Sequence, residues 1–335
     1  MPQWENNTGL VPPFLPFMPP DTETLNKEHL AEFFRTMYER QEIWVKRHLE
    51  GLKAPWTDDE YLRDYKFCNV YRVLDRNSQY EWKHVIKTVQ SPKDFLFRVL
   101  FFRYFNQPDF FKYVAHTTDW RGGVPKHSQY DQEVFEQLMK EYRRQGGNPF
   151  TNAYLTNSLA CKGKTRDWCF ANKIIPTLHE RAQELTDLAY TLSPKEWCKE
   201  ANTLPSVSGF VSHEFFLSLC YREEFGLGKF NGWNRNMYTN VGPGCSLGLS
   251  LILPNRKTNK EQYDGLLYIH KIAKAYLSKH HPDFQYLAWE GHKFTTSKEF
   301  NITITDIEFW LCEYQKYWKM TIGVGKQRSK YTPRQ

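Results

Sequence analysis

Near the C-terminus, Asp306, Trp310, Glu313 and Tyr317 recur at spacings of 4, 3 and 4, which sets them on one stripe of a helix. Asp306 and Glu313 can then share one pocket wall, as a pair of candidate catalytic carboxylates. Helix capping competes for the same residues. Thr303-x-x-Asp306 and Thr305-x-x-Glu308 both have capping-box spacing. Glu308 suits that role best, and Glu313 lies too deep in the helix for it.

Anion-binding candidates come next. In "VGPGCSLGLSLIL" (241–253), Gly242 and Gly244 flank Pro243 ahead of an apolar run. Glycines there can adopt conformations closed to other residues, and amides at a helix start favour an anion. The same tripeptide also makes an ordinary turn. "LPSVSGFVSHEFFLSL" (204–219) sets Pro205, Val207 and Gly209 in a turn before Val211, Phe215 and Leu219 at helical spacing. This is the pattern of a helix-hairpin-helix, whose amides can meet a DNA phosphate, or of a plain turn between packed helices. "DYKFCNVYRVLDR" (64–76) puts Tyr65, Asn69, Arg72 and Arg76 on one stripe of a helix expected over about 58–76. Amide and guanidinium groups beside an aromatic suit base-edge and phosphate contacts; a solvated face with Arg72 and Asp75 paired is the alternative. After Glu313 there is no acid, while Lys316, Lys319, Lys326, Arg328, Lys330 and Arg334 follow. That basic tail is a third phosphate-binding candidate. The histidines, His280-His281 included, lack metal-ligand spacing, so no metal and no cofactor is assigned.

The elements that must position these residues read as mainly helical. "NKEHLAEFFRTMYERQEIWVKRHLEG" (26–51) has Leu30, Phe33, Met37 and Trp44 on one face and Gly51 at its end. Ser91-Pro92-Lys93-Asp94 opens an all-round apolar helix, and Ser193-Pro194-Lys195-Glu196 is a capping box. The last helix is expected over 304–320, with Ile307, Leu311, Tyr314 and Trp318 as its apolar stripe. "YLAWEG" near 286 is the best strand candidate. The chain has 335 residues, 40% apolar and 16% aromatic, with net charge +7: enough for a large core, with a mild bias toward phosphate-rich partners. An all-α chain is expected, with a Pro-rich arm over 1–25 and a single helical domain over 26–331. Seven cysteines, without C-x-x-C spacing, argue against a disulfide framework and for a reducing compartment. Neither a signal peptide nor a membrane span is expected.

Together, "MYERQEIWVKRHLEG", "PWTDDEYLRDYKFCNVYRVLDR", "FTNAYL", the 204–219 turn, "VGPGCSLGL" and "ITDIEFWLCEYQKYWKMTIGVGKQRSKY" resemble a phage-associated family of DNA base hypermodification proteins. That family includes the helical domain joined to 5-hydroxymethyluracil DNA kinases. It is related to the α-glutamyl/putrescinyl-thymine pyrophosphorylases, which share a DNA-glycosylase-like helical fold. The resemblance implies an intracellular protein, in infected cytoplasm or a nucleus, whose partners are double-stranded DNA with a modified thymine and a 5-hydroxymethyluracil DNA kinase. It implies a transferase reaction in which an amine displaces pyrophosphate from a flipped, activated base. Arg72, Arg76 and the Gly242–Gly244 amides would receive the leaving group, with Asn69, Val207, Gly209, Lys326, Arg328 and Lys330 as further DNA contacts. Asp306 or Glu313 would serve the amine, and Tyr65, Asn152, Tyr154, Tyr238 and Trp310 would wall the base pocket. Asn234 stands where an acid is expected in some relatives. The stretch "KFNGWNRNMYT" (229–239) around it contains no acid, and an amide cannot replace a carboxylate as base. A base-excision glycosylase is therefore disfavoured, and a non-catalytic DNA-binding module is the main alternative to the transferase.

Overall fold

The computed structural model describes residues 24–88, 91–152, 156, 161–222, 230–290, 293–324 and 330–331. It is mainly helical and divides into two compact units, one built from 1–72 and 241–335, the other from 73–240.

In the first unit, α1 (Lys27–His48) starts at Asn26, whose side chain accepts the His29 N–H. Leu30, Phe33, Met37 and Trp44 are all buried, as their spacing predicts. Gly51 follows the helix with φ +67°, a left-handed conformation that glycine takes without strain. The short α2 (Glu60–Asp64) is capped by Asp59. Later in the chain come α11 (Pro243–Ile252), α12 (Asn259–His280) and α13 (Ile304–Thr321). Between the last two, β1 (Tyr286–Glu290) pairs antiparallel with β2 (Lys293–Ser297), Leu287 opposite Thr296 and Trp289 opposite Phe294. The expected strand is thus one arm of a hairpin.

The second unit holds α3 (Arg76–His84), α4 (Pro92–Phe105), α5 (Pro108–Thr117) and α6 (Gln132–Arg144). A short α7 (Arg166–Cys169) runs through a π turn at Phe170–Ile174 into α8 (Ile175–Thr191). Then follow α9 (Pro194–Ala201) and α10 (Gly209–Cys220). Ser91 caps α4 with Pro92 at its first position, and the Ser193/Glu196 capping box opens α9. From Phe95 to Phe105 every residue of α4 is buried. Phe101 packs edge-on to Phe135, and Phe105 stacks on Phe150. Each such ring contributes about 1.5–3 kcal/mol by leaving water.

Three expectations change here. The helix expected over 58–76 stops at Asp64: Tyr65 is extended and the chain re-enters α-helix only at Arg76. The reason is tertiary, since Tyr65 forms an antiparallel bridge with Lys330, which a helical residue cannot do. Tyr65, Asn69, Arg72 and Arg76 therefore share no helical stripe. In the turn before α10, the left-handed residue is Ser206 (φ +64°), while Gly209 is already the first residue of the helix. Finally, Cys161 and Cys169 are joined as a disulfide, their Cα atoms 5.6 Å apart, although no disulfide was expected. Their spacing across a short loop is not a recognisable sequence signal.

Candidate functional site

In the first unit the site forms around α13, on Phe309, Cys312, Glu313 and Lys316, which follow each other at helical spacing. The Arg72 guanidinium sits 4.3 Å from the Phe309 ring centre and donates to Cys68 Sγ at 2.9 Å. The Cys68 backbone N–H donates to Glu313 Oε2 at 3.2 Å, and Lys316 Nζ lies 2.6 Å from Glu313 Oε1. Glu313 is only 3% exposed in its side chain, so its carboxylate is held by a cation and a backbone donor away from water.

The N-terminus of α11 meets the same helix. Gly242 is its N-cap and offers no side chain; Pro243 has no N–H; the first intrahelical bond runs from Ser246 N–H to Gly242 O. The amides of Gly244 and Cys245 thus precede the hydrogen-bonded ladder, where a helix favours negative charge. Neither Gly242 nor Gly244 has a positive φ, contrary to the conformational role expected of them. Gly244 instead provides space: a methyl group on it would overlap the Cys312 sulfur. Cys245 is buried close to Cys312 and Glu308, and burial first, then the Glu308 charge, push its thiol well up. Burial raises the Cys312 thiol too, offset in part by Lys316. Both thiols are therefore protonated and poorly nucleophilic at neutral pH.

Asp306 does not share a reactive wall with Glu313. It is the capping-box residue of α13: its Oδ2 accepts the Thr303 N–H at 2.9 Å and the Thr303 hydroxyl at 2.7 Å. Capping thus falls to Asp306 rather than to Glu308. Trp310 is 1% exposed and donates its indole N–H to Phe33 O, so it belongs to the core rather than to an open pocket.

The basic tail returns to the first unit. Lys330 bridges Tyr65, and the Tyr331 N–H donates to Asp64 O at 2.8 Å. The Arg47 guanidinium lies 5.2 Å from the Trp56 ring centre and 5.5 Å from that of Tyr331. Two expected site residues, Tyr65 and Lys330, are thereby brought together from opposite ends of the unit. Lys326 and Arg328 lie outside the described residues, as do Tyr154 and most of the N-terminal arm. A cleft of about 650 Å³ in this unit is lined by Arg35, Glu39, Lys46, Trp56 and Asp59, among others. Arg35 binds Asp59 at 2.9 Å and the Tyr317 hydroxyl at 2.7 Å, and Tyr317 donates to Asp59 at 2.8 Å. Arg35, Asp59 and Cys68 were not among the residues expected from the sequence, whereas Lys316 was expected only as part of the basic tail. Only Asp59 carried a signal, as a helix-capping aspartate before Glu60.

The remaining candidates lie in the second unit. Arg76 is exposed and pairs with Asp109 at 2.7 Å. Val207 and Gly209 flank Ser208, which caps α10 through the Val211 N–H. Asn234 is exposed and folds back on the Asn236 N–H at 2.9 Å. Asn152 is exposed, and Tyr238 packs edge-on against His213 and Phe216.

A family model described as "5-hmdU DNA kinase, helical domain" matches residues 27–326. The chain belongs to that family. A protein of Bacillus phage SP10 described as "5-hmdU DNA kinase" is 28% identical over 300 residues, which cover 85% of this chain and 44% of that protein. The chain thus spans under half the length of this relative. No solved structure matches it. No helix among the described residues is long and apolar enough to cross a membrane.

Proposed function

We propose that the chain is a DNA-binding helical module for thymine hypermodification, which presents a 5-hydroxymethyluracil base to a kinase activity supplied elsewhere. The observation that carries this reading over a transferase is the engagement of both candidate carboxylates. Asp306 is used up in its capping box, and Glu313 is clamped by Lys316 and the Cys68 N–H. A general base must be able to take a proton, and a carboxylate held in an ion pair is a weak one. The cations fit binding: Arg72, Lys316 and the α11 amides gather around α13, and Lys330 is anchored at Tyr65. These groups suit the phosphates of DNA or a phosphate on the base.

The transferase remains the second reading, favoured by the buried Glu313 carboxylate beside Lys316. In that reaction an amine nitrogen attacks the exocyclic methylene carbon of the activated base. The carbon–oxygen bond to pyrophosphate breaks, pyrophosphate leaves with the electron pair, and Glu313 takes the amine proton.

Binding of duplex DNA containing 5-hydroxymethyluracil, followed against salt, tests the module. Replacing Lys326, Arg328 and Lys330 by Ala should flatten the log–log salt slope by up to roughly 0.9 for each phosphate no longer neutralised. An unchanged slope and affinity would remove the tail from the interface.

A further inference from the structure

The second unit carries a basic, aromatic surface that none of the roles above uses. Between the paired Cys161 and Cys169, the sequence Lys162-Gly163-Lys164-Thr165-Arg166-Asp167-Trp168 alternates cations with small or polar residues. Lys162, Gly163, Lys164 and Trp168 are exposed, Trp168 at 38%. Gly163 has φ +79° and nothing within 4 Å of where a side chain would start, so the backbone itself is open to close approach. Lys164 Nζ lies 5.0 Å from the Trp168 ring centre.

The C-terminal end of α6 adds to this face. Arg143 binds Asp167 at 2.7 Å, and the neighbouring Arg144 pairs with Glu141. Behind the loop, Arg166 stacks 3.7 Å from the Phe150 ring centre and donates to Thr156. Among the described residues, the ion pairs found in this cluster are Arg143 with Asp167 and Arg144 with Glu141. Among the described residues no carboxylate pairs with Lys162 or Lys164.

We propose that this surface, the 161–169 loop with the end of α6, binds single-stranded DNA, with Lys162 and Lys164 on phosphates and a base stacked on Trp168. An exposed indole beside lysines suits an unpaired strand, because a duplex keeps its base faces stacked inside and only a free strand offers both phosphates and an open ring. The proposal rests on the reading of the chain as a DNA-binding module and extends it to the strand left unpaired when a base is drawn out. Its chemistry is distinct from base readout: stacking tolerates any base, so the surface sets affinity without setting sequence.

The test uses the full chain, a fluorescein-labelled oligo-dT and a duplex of equal length, with binding read by anisotropy. Trp168→Ala should weaken oligo-dT binding roughly 5–100-fold, the range that stacking of one base on an aromatic ring supplies, and leave duplex binding within twofold. Trp168→Phe should recover part of that affinity. Lys162→Glu with Lys164→Glu should lower the salt slope for the single strand by about 1.4, at roughly 0.7 for each neutralised phosphate. The side chains are exposed, so melting temperatures should match the wild type, and a variant that unfolds below the assay temperature is replaced by Trp168→Phe alone. Unchanged oligo-dT binding by Trp168→Ala, with duplex binding still sensitive to the Lys326, Arg328 and Lys330 substitutions, overturns the single-strand site and leaves the module standing. Equal weakening of duplex and single strand overturns the stacking role. Wild-type protein that binds neither DNA overturns the surface and the module together.

Discussion

Gly244 and Cys312 meet across the contact of α11 with α13 so closely that the glycine position has no room for a methyl group. One turn later Gly248 repeats the arrangement against backbone: its missing side chain would start 2.8 Å from the Leu311 carbonyl carbon. The two glycines, four residues apart, form a flat strip on one face of α11 that lets the helices approach. Gly244→Ala and Gly248→Ala should each destabilise the fold, by about 1–3 kcal/mol as overpacking does. Gly248→Ala should cost more, since a carbonyl cannot rotate away as a thiol can. Adding Cys312→Ala should recover part of the Gly244→Ala loss and none of the Gly248→Ala loss. Urea unfolding of the four variants measures this, and absence of that selective recovery would show that the helices re-space instead.

Buried charge in the second unit gives a pH prediction. Arg103 bonds both Glu81, at 2.6 Å, and Glu214, at 3.1 Å, and Ser218 donates to Glu81. Burial raises Glu81 from 4.5 to about 7, although Arg103 and Ser218 pull it down. A carboxyl whose folded pKa lies above its unfolded value binds its proton more tightly when folded. Its contribution is complete below pH about 4.5 and is lost as pH rises through about 7. Glu81→Gln should remove that portion of the pH dependence. Melting temperatures at pH 5 and pH 8 for the two proteins decide it: a wild-type difference that survives in Glu81→Gln assigns the effect to another group.

Much of the scaffold could be read ahead of the structure because local signals and tertiary packing agree there. Ser91 and Ser193 each cap the helix that their spacing announces. The last helix, expected over 304–320, spans Ile304–Thr321. Residues 65–72 were misread because their side-chain periodicity looks helical, whereas pairing with Lys330, distant in sequence, holds Tyr65 extended. The candidate site had the same weakness. Arg72 and Glu313 were visible singly, but the thiol and backbone amide of Cys68 that link them leave no trace in spacing. Gly244 was legible as a special residue, and its reason, room for Cys312, was not.

No base-excision activity is expected. Asn234, in the acid-free stretch after α10, spends its side-chain oxygen on the Asn236 N–H, and an amide can neither activate water nor stabilise a cationic sugar as a carboxylate does. Purified protein incubated with DNA containing uracil, thymine or 5-hydroxymethyluracil should leave no alkali-labile abasic sites. Sites that persist in wild type and vanish in Asp306→Asn would place a working carboxylate in the capping position.

Glu313 separates the module from the transferase. In the module it is a structural anchor, tying Lys316 of α13 to the Cys68 backbone. Glu313→Gln keeps an acceptor for the Cys68 N–H but loses the charge opposite Lys316. Because Lys316 is partly exposed, solvent screens some of that loss, and a cost of about 1–2 kcal/mol is expected, in the range of a charged hydrogen bond. The module therefore expects Glu313→Gln to melt lower while binding 5-hydroxymethyluracil DNA as wild type does at a temperature where both are folded. A transferase base would behave otherwise. Removing it would leave binding intact but abolish transfer of an amine to DNA carrying the pyrophosphorylated base, measured by nucleoside mass spectrometry. Wild-type protein that makes the amine adduct, with Glu313→Gln folded, bound and inactive, would overturn the module and make Glu313 the base.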